Sequence, residues 1–245
     1  MAADPSWIVL ARQALPGQRI ELGMRERDPG AWTPLRSLAD SRAWPSIARD
    51  YADGISARSA VVGASCALQG LASRVMGPVL VGWALGHPVP RLADVEVEVL
   101  VRAGRTTGVR YSVTRTTPLH ADELVTSLAT VIHPLVEAIR ETFALTERVL
   151  WGNVGASCAG ALGAAHRIAS DAEVVRQHGE RLLAGPWLVS LAVEPRTCDG
   201  AWTYRRDTCC LIHLGDGHRF CPGCSRVDPA DDRVRWRERL EELAR

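Results

Sequence analysis

The sequence contains no lysine, and all 29 of its basic residues are arginines, against 28 acidic residues. We attribute the absence of lysine to genomic composition rather than to function. The net charge is only +1. The chain therefore lacks the strong field that attracts nucleic acid or an anionic membrane surface, and we expect no nucleic-acid partner.

Targeting and membrane signals are also missing. Residues 1–5 have neither a basic start nor an apolar core, so no signal peptide is predicted. The most apolar stretch, residues 60–86, is interrupted by Arg74 and Pro78, and we predict a buried helix there rather than a transmembrane segment. The seven cysteines do not follow the even spacing of a secreted disulfide scaffold. These absences predict a cytoplasmic protein in a reducing compartment.

What the sequence does contain is a group of four cysteines in its last quarter. Cys209, Cys210, Cys221 and Cys224 follow the spacing C-C-x10-C-x2-C. Structural zinc sites usually take their ligands from C-x2-4-C pairs. Adjacent cysteines in an extended segment point to opposite sides and converge more easily on a wider centre. The spacing therefore favours a 2Fe–2S cluster, with a zinc site and disulfide bonds as the alternatives.

The residues between the two cysteine pairs predict a β-hairpin. Asp216 and Gly217 form a dipeptide that is typical of tight hairpin turns. In the register that this turn sets, Cys209 faces Cys224 and both cysteine pairs lie at the open end of the hairpin. The proline and glycine of the C-x2-C pair then bend that pair inward.

Residues 205–224 resemble the C-terminal signature of the FhuF-like ferric-siderophore reductase family, which has paired arginines followed by cysteines at this spacing. Trp151, Gly152 and Asn153, which open a helix of small residues, resemble a second segment of that family. Residues 1–50 show no such similarity. The resemblance implies that the four cysteines hold a 2Fe–2S cluster and that the protein reduces ferric siderophores in the cytoplasm, releasing ferrous iron.

The expected electron donor is external. The sequence has no glycine-rich phosphate loop and no flavin or nicotinamide fingerprint, so a ferredoxin, a flavodoxin or reduced flavin would have to supply the electron. Two other functions stay open. One is a non-enzymatic 2Fe–2S electron carrier or redox sensor. The other is a binding module in which zinc joins the cysteines.

Five further residues are candidates for tuning the cluster or binding the substrate. Arg205, Arg206 and Arg219 lie close to the cysteines in sequence and could offset the negative charge of a thiolate-bound cluster. By the resemblance, Trp151 and Asn153 are candidates for the wall of a pocket beside the cluster.

The remaining three cysteines are predicted to have no role as ligands. Cys66 and Cys158 lie among small residues on apolar segments and are predicted to pack in the core. Cys198 precedes the motif by eleven residues, and we interpret it as a small packing residue rather than a fifth ligand.

Hydrophobic periodicity predicts an α+β fold with a helix-rich body, a small antiparallel β component and a C-terminal cysteine-bearing hairpin. Period-two alternation over residues 95–101 and 109–114 predicts a β-hairpin with one buried face. Helices are predicted over residues 55–73, with a break at Gly77-Pro78, and over residues 124–139. Further helices are predicted over the small-residue run capped by Thr146, from a cap at Ser170 to Gly185, and after Asp228-Pro229. A short strand is predicted over residues 187–193.

We divide the chain into two parts. Residues 1–193 are predicted to form an α+β body that faces the substrate, with an irregular N-terminal stretch over residues 1–50. Residues 194–245 are predicted to form the 2Fe–2S cluster-binding segment and the final helix.

Overall fold

The computed structural model describes residues 5–23, 32–102, 105–184, 193–217, 220–221 and 223–244. Within these residues the α+β class is confirmed. The helices are α1 (Ser6–Ala14), α2 (Trp44–Gly54), α3 (Ala60–Ala84), α4 (Ala121–Thr142), α5 (Glu147–Ile168), α6 (Ala172–Leu183) and α7 (Pro229–Ala244). The strands are β1 (Arg19–Leu22), β2 (Trp32–Pro34), β3 (Glu96–Arg102), β4 (Arg105–Ser112), β5 (Val193–Cys198) and β6 (Ala201–Arg206).

Four strands form a mixed sheet in the order β1-β4-β3-β2. The hairpin predicted from alternation is the antiparallel pair β3–β4, which has a bulge between Leu100 and Val101. β2 extends the sheet in the antiparallel sense, whereas β1 lies parallel to β4. Both outer strands come from the stretch that we expected to be irregular, which also supplies α1 and its buried Trp7. Strands of three or four residues are too short to show a periodicity in sequence.

The predicted break at Gly77-Pro78 is wrong, because α3 continues through Pro78 without interruption. Proline lacks the N–H group that would bond the carbonyl of Arg74, four residues earlier. The hydroxyl of Tyr111, on β4, donates instead to the carbonyl oxygens of Arg74 at 3.2 Å and Val75 at 2.8 Å. The sheet therefore supplies a hydrogen bond to the Arg74 carbonyl that the proline leaves free, and the helix continues past Pro78.

Two other helix starts differ from the predicted ones because a side chain caps the helix elsewhere. α3 begins at Ala60, where the Ser59 side chain accepts the backbone N–H of Val61. α6 is capped by Asp171 rather than by Ser170, through the backbone N–H groups of the next turn. The cap predicted at Thr146 is confirmed. The predicted end of α6 at Gly185, and most of a strand predicted over residues 187–193, lie outside the described residues.

Among the described helices, α3 is long and apolar enough to cross a membrane. However, 78% of its most apolar 18-residue window is buried within the protein. The central helix of a folded core has the same length and composition, so these features give no positive sign of a membrane span.

The C-terminal segment docks on the body through Trp202, on β6. This side chain is buried in the main hydrophobic core. Two glycines make room for it. A Cβ atom added at Gly163 of α5 would lie 3.1 Å from the indole Cδ1, and one added at Gly179 of α6 would lie 2.7 Å from the ring. The small residues of α5 thus allow close packing of strand β6 as well as of the neighbouring helices.

The C-terminal hairpin is formed by β5 and β6, and not, as predicted, by the residues between the two cysteine pairs. There, Leu211 adopts a left-handed conformation with φ 69°, and Ile212–Leu214 form a short 3-10 helix. Gly215 forms an antiparallel bridge with Ala57, in the loop before α3, so this segment is bonded to the body instead of to itself. Residues 218–219, after the predicted turn, lie outside the described residues.

Candidate metal centre

The four cysteines lie together on the loops between β6 and α7. Cys210 Sγ lies 3.9 Å from Cys221 Sγ. The thiols of Cys209 and Cys221 lie close enough to Cys224 to lower its pKa. Cys209 thus lies near Cys224 without the hairpin that was predicted to place them opposite each other. Cys210 and Cys224 are buried, whereas Cys209 and Cys221 are partly exposed.

Backbone N–H groups point at three of these sulfurs. The pairs are Leu211 N to Cys209 Sγ, at 3.3 Å, Ile212 N to Cys210 Sγ, and Arg226 N to Cys224 Sγ. Hydrogen bonds to sulfur stabilise the thiolate, which is the form that binds a metal. The loops around the cysteines therefore suit negatively charged sulfur.

Arg206, the last residue of β6, is buried beneath the cysteines and only 1% exposed. Its Nη1 donates to Gln69 Oε1 at 2.9 Å, and its Nη2 donates to Asn153 Oδ1. Both acceptors are neutral amides. Its Nε is buried without a hydrogen-bond partner, and no carboxylate in the described part of the chain pairs with it. A buried cation without a counter-charge is costly, so the site is built to hold negative charge.

The pKa values of the four thiols agree with a site that favours negative charge. Hydrogen bonding from Cys221 lowers the pKa of Cys210 below its ordinary value of 9.0, and the charge of Arg206 contributes to the shift. Hydrogen bonds from Cys209 and Cys221 lower the pKa of Cys224 in the same way. The pKa values of Cys209 and Cys221 are raised, because these two thiols donate. Metal binding would release the remaining protons.

Helices α3 and α5 hold the cysteine loop from below. Ser65 Oγ donates to the carbonyl oxygen of Cys210 at 2.9 Å. Asn153 Nδ2 donates to Ser65, to the carbonyl oxygen at 2.8 Å and to Oγ at 2.9 Å. The Cys66 thiol lies 3.5 Å from the same Cys210 carbonyl. Burial raises the pKa of Cys66 to about 12, which favours the protonated thiol that can donate to this carbonyl.

The turn of the C-x2-C pair is held by Gly223, which has a left-handed φ of 74°. Its N–H donates to Asp232 Oδ1 at 2.7 Å, and its carbonyl accepts the backbone N–H of Arg206 at 2.8 Å. A Cβ atom at this position would lie 2.5 Å from the carbonyl oxygen of Tyr204. Asp232 also lies 3.6 Å from Arg205 Nη1. Only glycine fits this position, for both its conformation and its surroundings.

The structure brings some of the predicted site residues together and not others. Asn153 and Arg206 lie side by side beneath the cysteines, and Arg205 supports the turn through Asp232. Trp151 lies elsewhere, with its ring 6.0 Å from that of His133 on α4. Two positions along a helix differ by about 200° in direction, so Trp151 and Asn153 point away from each other. Arg219 lies outside the described residues.

Several residues that support the site were not predicted from the sequence. Ser65 and Gln69 on α3 are four positions apart and therefore share a helix face. A polar pair at this spacing in the most apolar stretch of the chain was a signal that could have located them. Asp232, near the start of α7, gave no such signal, because acidic residues in a first turn are common for helix-dipole reasons alone.

A cavity of about 520 Å³ opens beside Cys221. Its walls come from β6, α5, α7 and the loop after α1, and it is lined by Arg74, Arg167 and Arg239 together with Tyr204 and Trp236. None of the described residues that line it is an aspartate or a glutamate. Cavities of this size are typical of small-molecule sites.

The donor set fits an all-thiolate metal centre. Four sulfurs, three N–H donors to sulfur and a buried arginine without a carboxylate suit a group with negative charge. A 2Fe–2S cluster and a zinc ion each carry about −2 when held by four thiolates. Within the described residues, no three His, Cys, Asp or Glu side chains converge closely enough to hold a single metal ion as they stand.

Comparison of the chain with models of known protein families gives no match, and a search of curated proteins gives none either. The chemistry of the site is therefore assigned from its own residues.

Proposed function

We propose that this protein is a ferric-siderophore reductase that holds a 2Fe–2S cluster on Cys209, Cys210, Cys221 and Cys224. The observation that carries the proposal is the position of Cys221 in the wall of the 520 Å³ cavity. An electron carrier or redox sensor needs no cavity of this size beside its metal centre. A zinc ion that only joins the loops needs none either.

The proposed reaction is a one-electron reduction of iron. When bound, the cluster supplies one-electron transfer between an external donor and the substrate. The iron of the siderophore gains this electron and becomes ferrous, and no covalent bond of the siderophore breaks. Siderophore oxygens are hard ligands that hold ferric iron more tightly than ferrous iron, so the reduction favours release.

The residues of this chain have distinct roles in the proposal. Arg206 offsets the negative charge of the thiolates from the buried side. Ser65 and Asn153 close that side of the loop to water. On the cavity side, the rings of Tyr204 and Trp236 pack edge to face at 5.1 Å, and Trp236 Nε1 donates to the Tyr204 carbonyl at 3.1 Å. These rings present an apolar surface next to Cys221 on which a bulky complex can rest.

The donor and the compartment belong to the same proposal. A ferredoxin, a flavodoxin or reduced flavin would deliver the electron in the cytoplasm, where a reducing environment keeps cysteines available as thiolates. The partly exposed Cys209 and Cys221 are the ligands nearest to solvent.

The first experiment is visible absorbance of the protein purified without oxygen, then after dithionite, then after a ferric siderophore is added. We expect a red-brown spectrum that bleaches on reduction and recovers with the siderophore. A spectrum that bleaches without recovery would identify a carrier or sensor. A colourless protein with about one zinc per chain would contradict the cluster, since zinc has no redox chemistry.

The ligands are tested by Cys210→Ser and Cys221→Ser. We expect both variants to lose the visible absorbance while keeping the far-ultraviolet signal of the helical body. Cys198→Ser is the matched control, because Cys198 lies at the end of β5, where its sulfur contacts the carbonyl of Arg233 at 3.9 Å. A normal spectrum in both ligand variants would contradict the ligand assignment.

A further inference from the structure

The cavity beside Cys221 carries positive charge that the protein does not balance. Arg239, at its rim, bonds Glu242 at 2.9 Å. Arg74 and Arg167 have no such partner among the described residues. Each donates to a backbone carbonyl of its own helix, Arg74 to Gly70 at 3.3 Å and Arg167 to Gly163 at 3.1 Å.

Arg74 is partly buried, whereas Arg167 keeps more of its surface in contact with solvent. Burial lowers the pKa of Arg74, and burial together with the nearby charge of Arg239 lowers the pKa of Arg167. The Nε of Arg74 and the Oε1 of Gln18, which lines the same cavity, are buried without a hydrogen-bond partner. A partly buried cation such as Arg74, or a pair of cations that repel each other such as Arg167 and Arg239, gains more from a bound anion than an isolated exposed arginine does.

Most of the rest of the wall is apolar. Trp202, Tyr204 and Trp236 contribute aromatic surface, and α5 contributes the small residues Gly160 and Gly163. Aromatic rings bind other rings by offset or edge-to-face packing and bind little to small aliphatic groups beyond the area that they bury. A ligand that combines rings with negative charge matches both parts of the cavity.

We infer that the cavity selects an anionic ferric chelate with aromatic donor groups, a ferric catecholate. The inference rests on the proposed function, since it names the substrate class for the same site. A ferric tris-catecholate carries a net charge of about −3 and presents three rings, whereas a ferric tris-hydroxamate without charged substituents is neutral and presents none. The arginines and the aromatic wall therefore favour the catecholate.

Binding is measured with gallium(III) complexes, which match the charge of the ferric ones but are not reduced. Gallium(III) enterobactin serves as the tris-catecholate and gallium(III) desferriferrichrome as the neutral tris-hydroxamate. Quenching of tryptophan fluorescence reports occupancy, because tryptophans line the cavity. We expect the catecholate to bind at least about tenfold more tightly, and its affinity to fall as salt is raised.

The variant that tests the charge is the double substitution Arg74→Gln with Arg167→Gln. We expect it to weaken binding of the catecholate about tenfold or more and to change hydroxamate binding less than about twofold. The single substitution Arg167→Gln should show part of the effect, and it changes a side chain at the protein surface. Arg237→Gln is the control, since Arg237 lies on α7 outside the cavity and pairs with Asp199 at 3.0 Å.

Equal affinity for the two gallium complexes would overturn the inference. Unchanged catecholate affinity in both arginine variants would overturn it too. The gallium measurements need no electron transfer, so they separate this inference from the proposed function. Catecholate binding by a protein without a cluster would leave the cavity assignment standing while the reductase fails. Recovery of the visible spectrum by ferric siderophores, with no preference for the catecholate, would support the reductase and contradict the assignment of the cavity to catecholates.

Discussion

Two arginines are buried in the described part of the chain, and they differ in the counter-charges around them. Arg110, on β4, is 4% exposed and is bonded by Glu21 at 3.0 Å and by Glu98 at 3.3 Å. Its guanidinium also lies over the ring of Trp32, 4.0 Å from the centroid. Arg206 is buried even more deeply, but its hydrogen-bond partners in that part of the chain are the neutral amides of Gln69 and Asn153.

The difference shows which part of the molecule neutralises its own buried charge without a bound group. The sheet brings its own carboxylates to Arg110, so its charges balance as soon as the chain folds. No carboxylate among the described residues pairs with Arg206, and four cysteines lie nearby instead. The charge of Arg206 is balanced only when those cysteines become thiolates, which is the state that a bound metal centre imposes.

The largest expected effect comes from Arg206→Met, which removes the buried cation but keeps much of its volume. In the metal-loaded protein we expect a loss of about 3–5 kcal/mol in the free energy of unfolding, because the negative centre loses its counter-charge. In the metal-free protein we expect a smaller loss, since the arginine there interacts only with two amides and with the thiols of Cys210 and Cys224, whose pKa values are lowered. Chemical denaturation of both forms measures the two values.

The reduction potential gives a second reading of the same variant. We expect it to fall, since a cluster that loses a nearby positive charge accepts an electron less readily. An equal loss of stability in the loaded and metal-free forms would show that Arg206 acts only by packing and would remove the contrast with Arg110.

The next largest effect is expected from Gly223→Ala, since Gly223 positions both the C-x2-C turn and the backbone of Arg206. The substitution combines a left-handed φ of 74° with a Cβ atom 2.5 Å from the Tyr204 carbonyl. We expect a loss of about 2–4 kcal/mol and a marked loss of visible absorbance.

Gly217→Ala is the matched control for this prediction. Its φ is 71°, nearly the same, but no atom lies within 4 Å of the added Cβ. It should lose only about 1 kcal/mol, the cost of the conformation alone, and keep the absorbance. Equal losses in the two variants would mean that the contact with Tyr204 plays no part.

The smallest expected effect lies in the sheet. Burial acts to raise the pKa of Glu21, but hydrogen bonds from Arg19 and Arg110 outweigh it and hold the pKa below 4.5. The ionised carboxylate therefore stabilises the fold above about pH 4.5, and this stabilisation is lost as the pH falls through the lower, folded-state pKa. Glu21→Gln should flatten this dependence.

The measurement is the free energy of unfolding of the metal-free protein between pH 7 and pH 3. The change should stay within about 1 kcal/mol, as is usual for partly exposed ion pairs. An unaltered pH dependence in Glu21→Gln would mean that Arg110 is held by Glu98 and Trp32 without Glu21, and the contrast with Arg206 would rest on one carboxylate.

Local patterns predicted the parts of the fold that local interactions determine. Alternation located β3 and β4, and the Thr146 cap located the start of α5. The continuity of α3 depends on Tyr111, more than thirty residues away, and no pattern around Pro78 reveals it. The short edge strands were missed because pairing with longer neighbours stabilises them, not their own sequence.

In the candidate site, too, local sequence predicted some residues, and contacts with distant parts of the chain determine the others. The cysteine spacing singled out four thiols that the fold places on the same loops, but it did not predict the 3.9 Å approach of Cys210 Sγ to Cys221 Sγ. The partners of Arg206 could not be predicted, because Gln69 lies 137 positions away in sequence. A contact at that separation depends on how α3 and α5 pack, which the spacing of residues near the cysteines does not encode.

The bond from Tyr111 to the carbonyls around Pro78 has a consequence for how the protein opens. A hydrogen bond that would ordinarily lie within α3 here joins α3 to β4, so fraying of the strand exposes the helix at its proline. We therefore expect the sheet and α3 to exchange their amide hydrogens as one cooperative unit. Ser65 and Gln69 lie on α3 and therefore belong to that unit. We expect these two residues, which bond the Cys210 carbonyl and Arg206, to open at the same rate as the sheet.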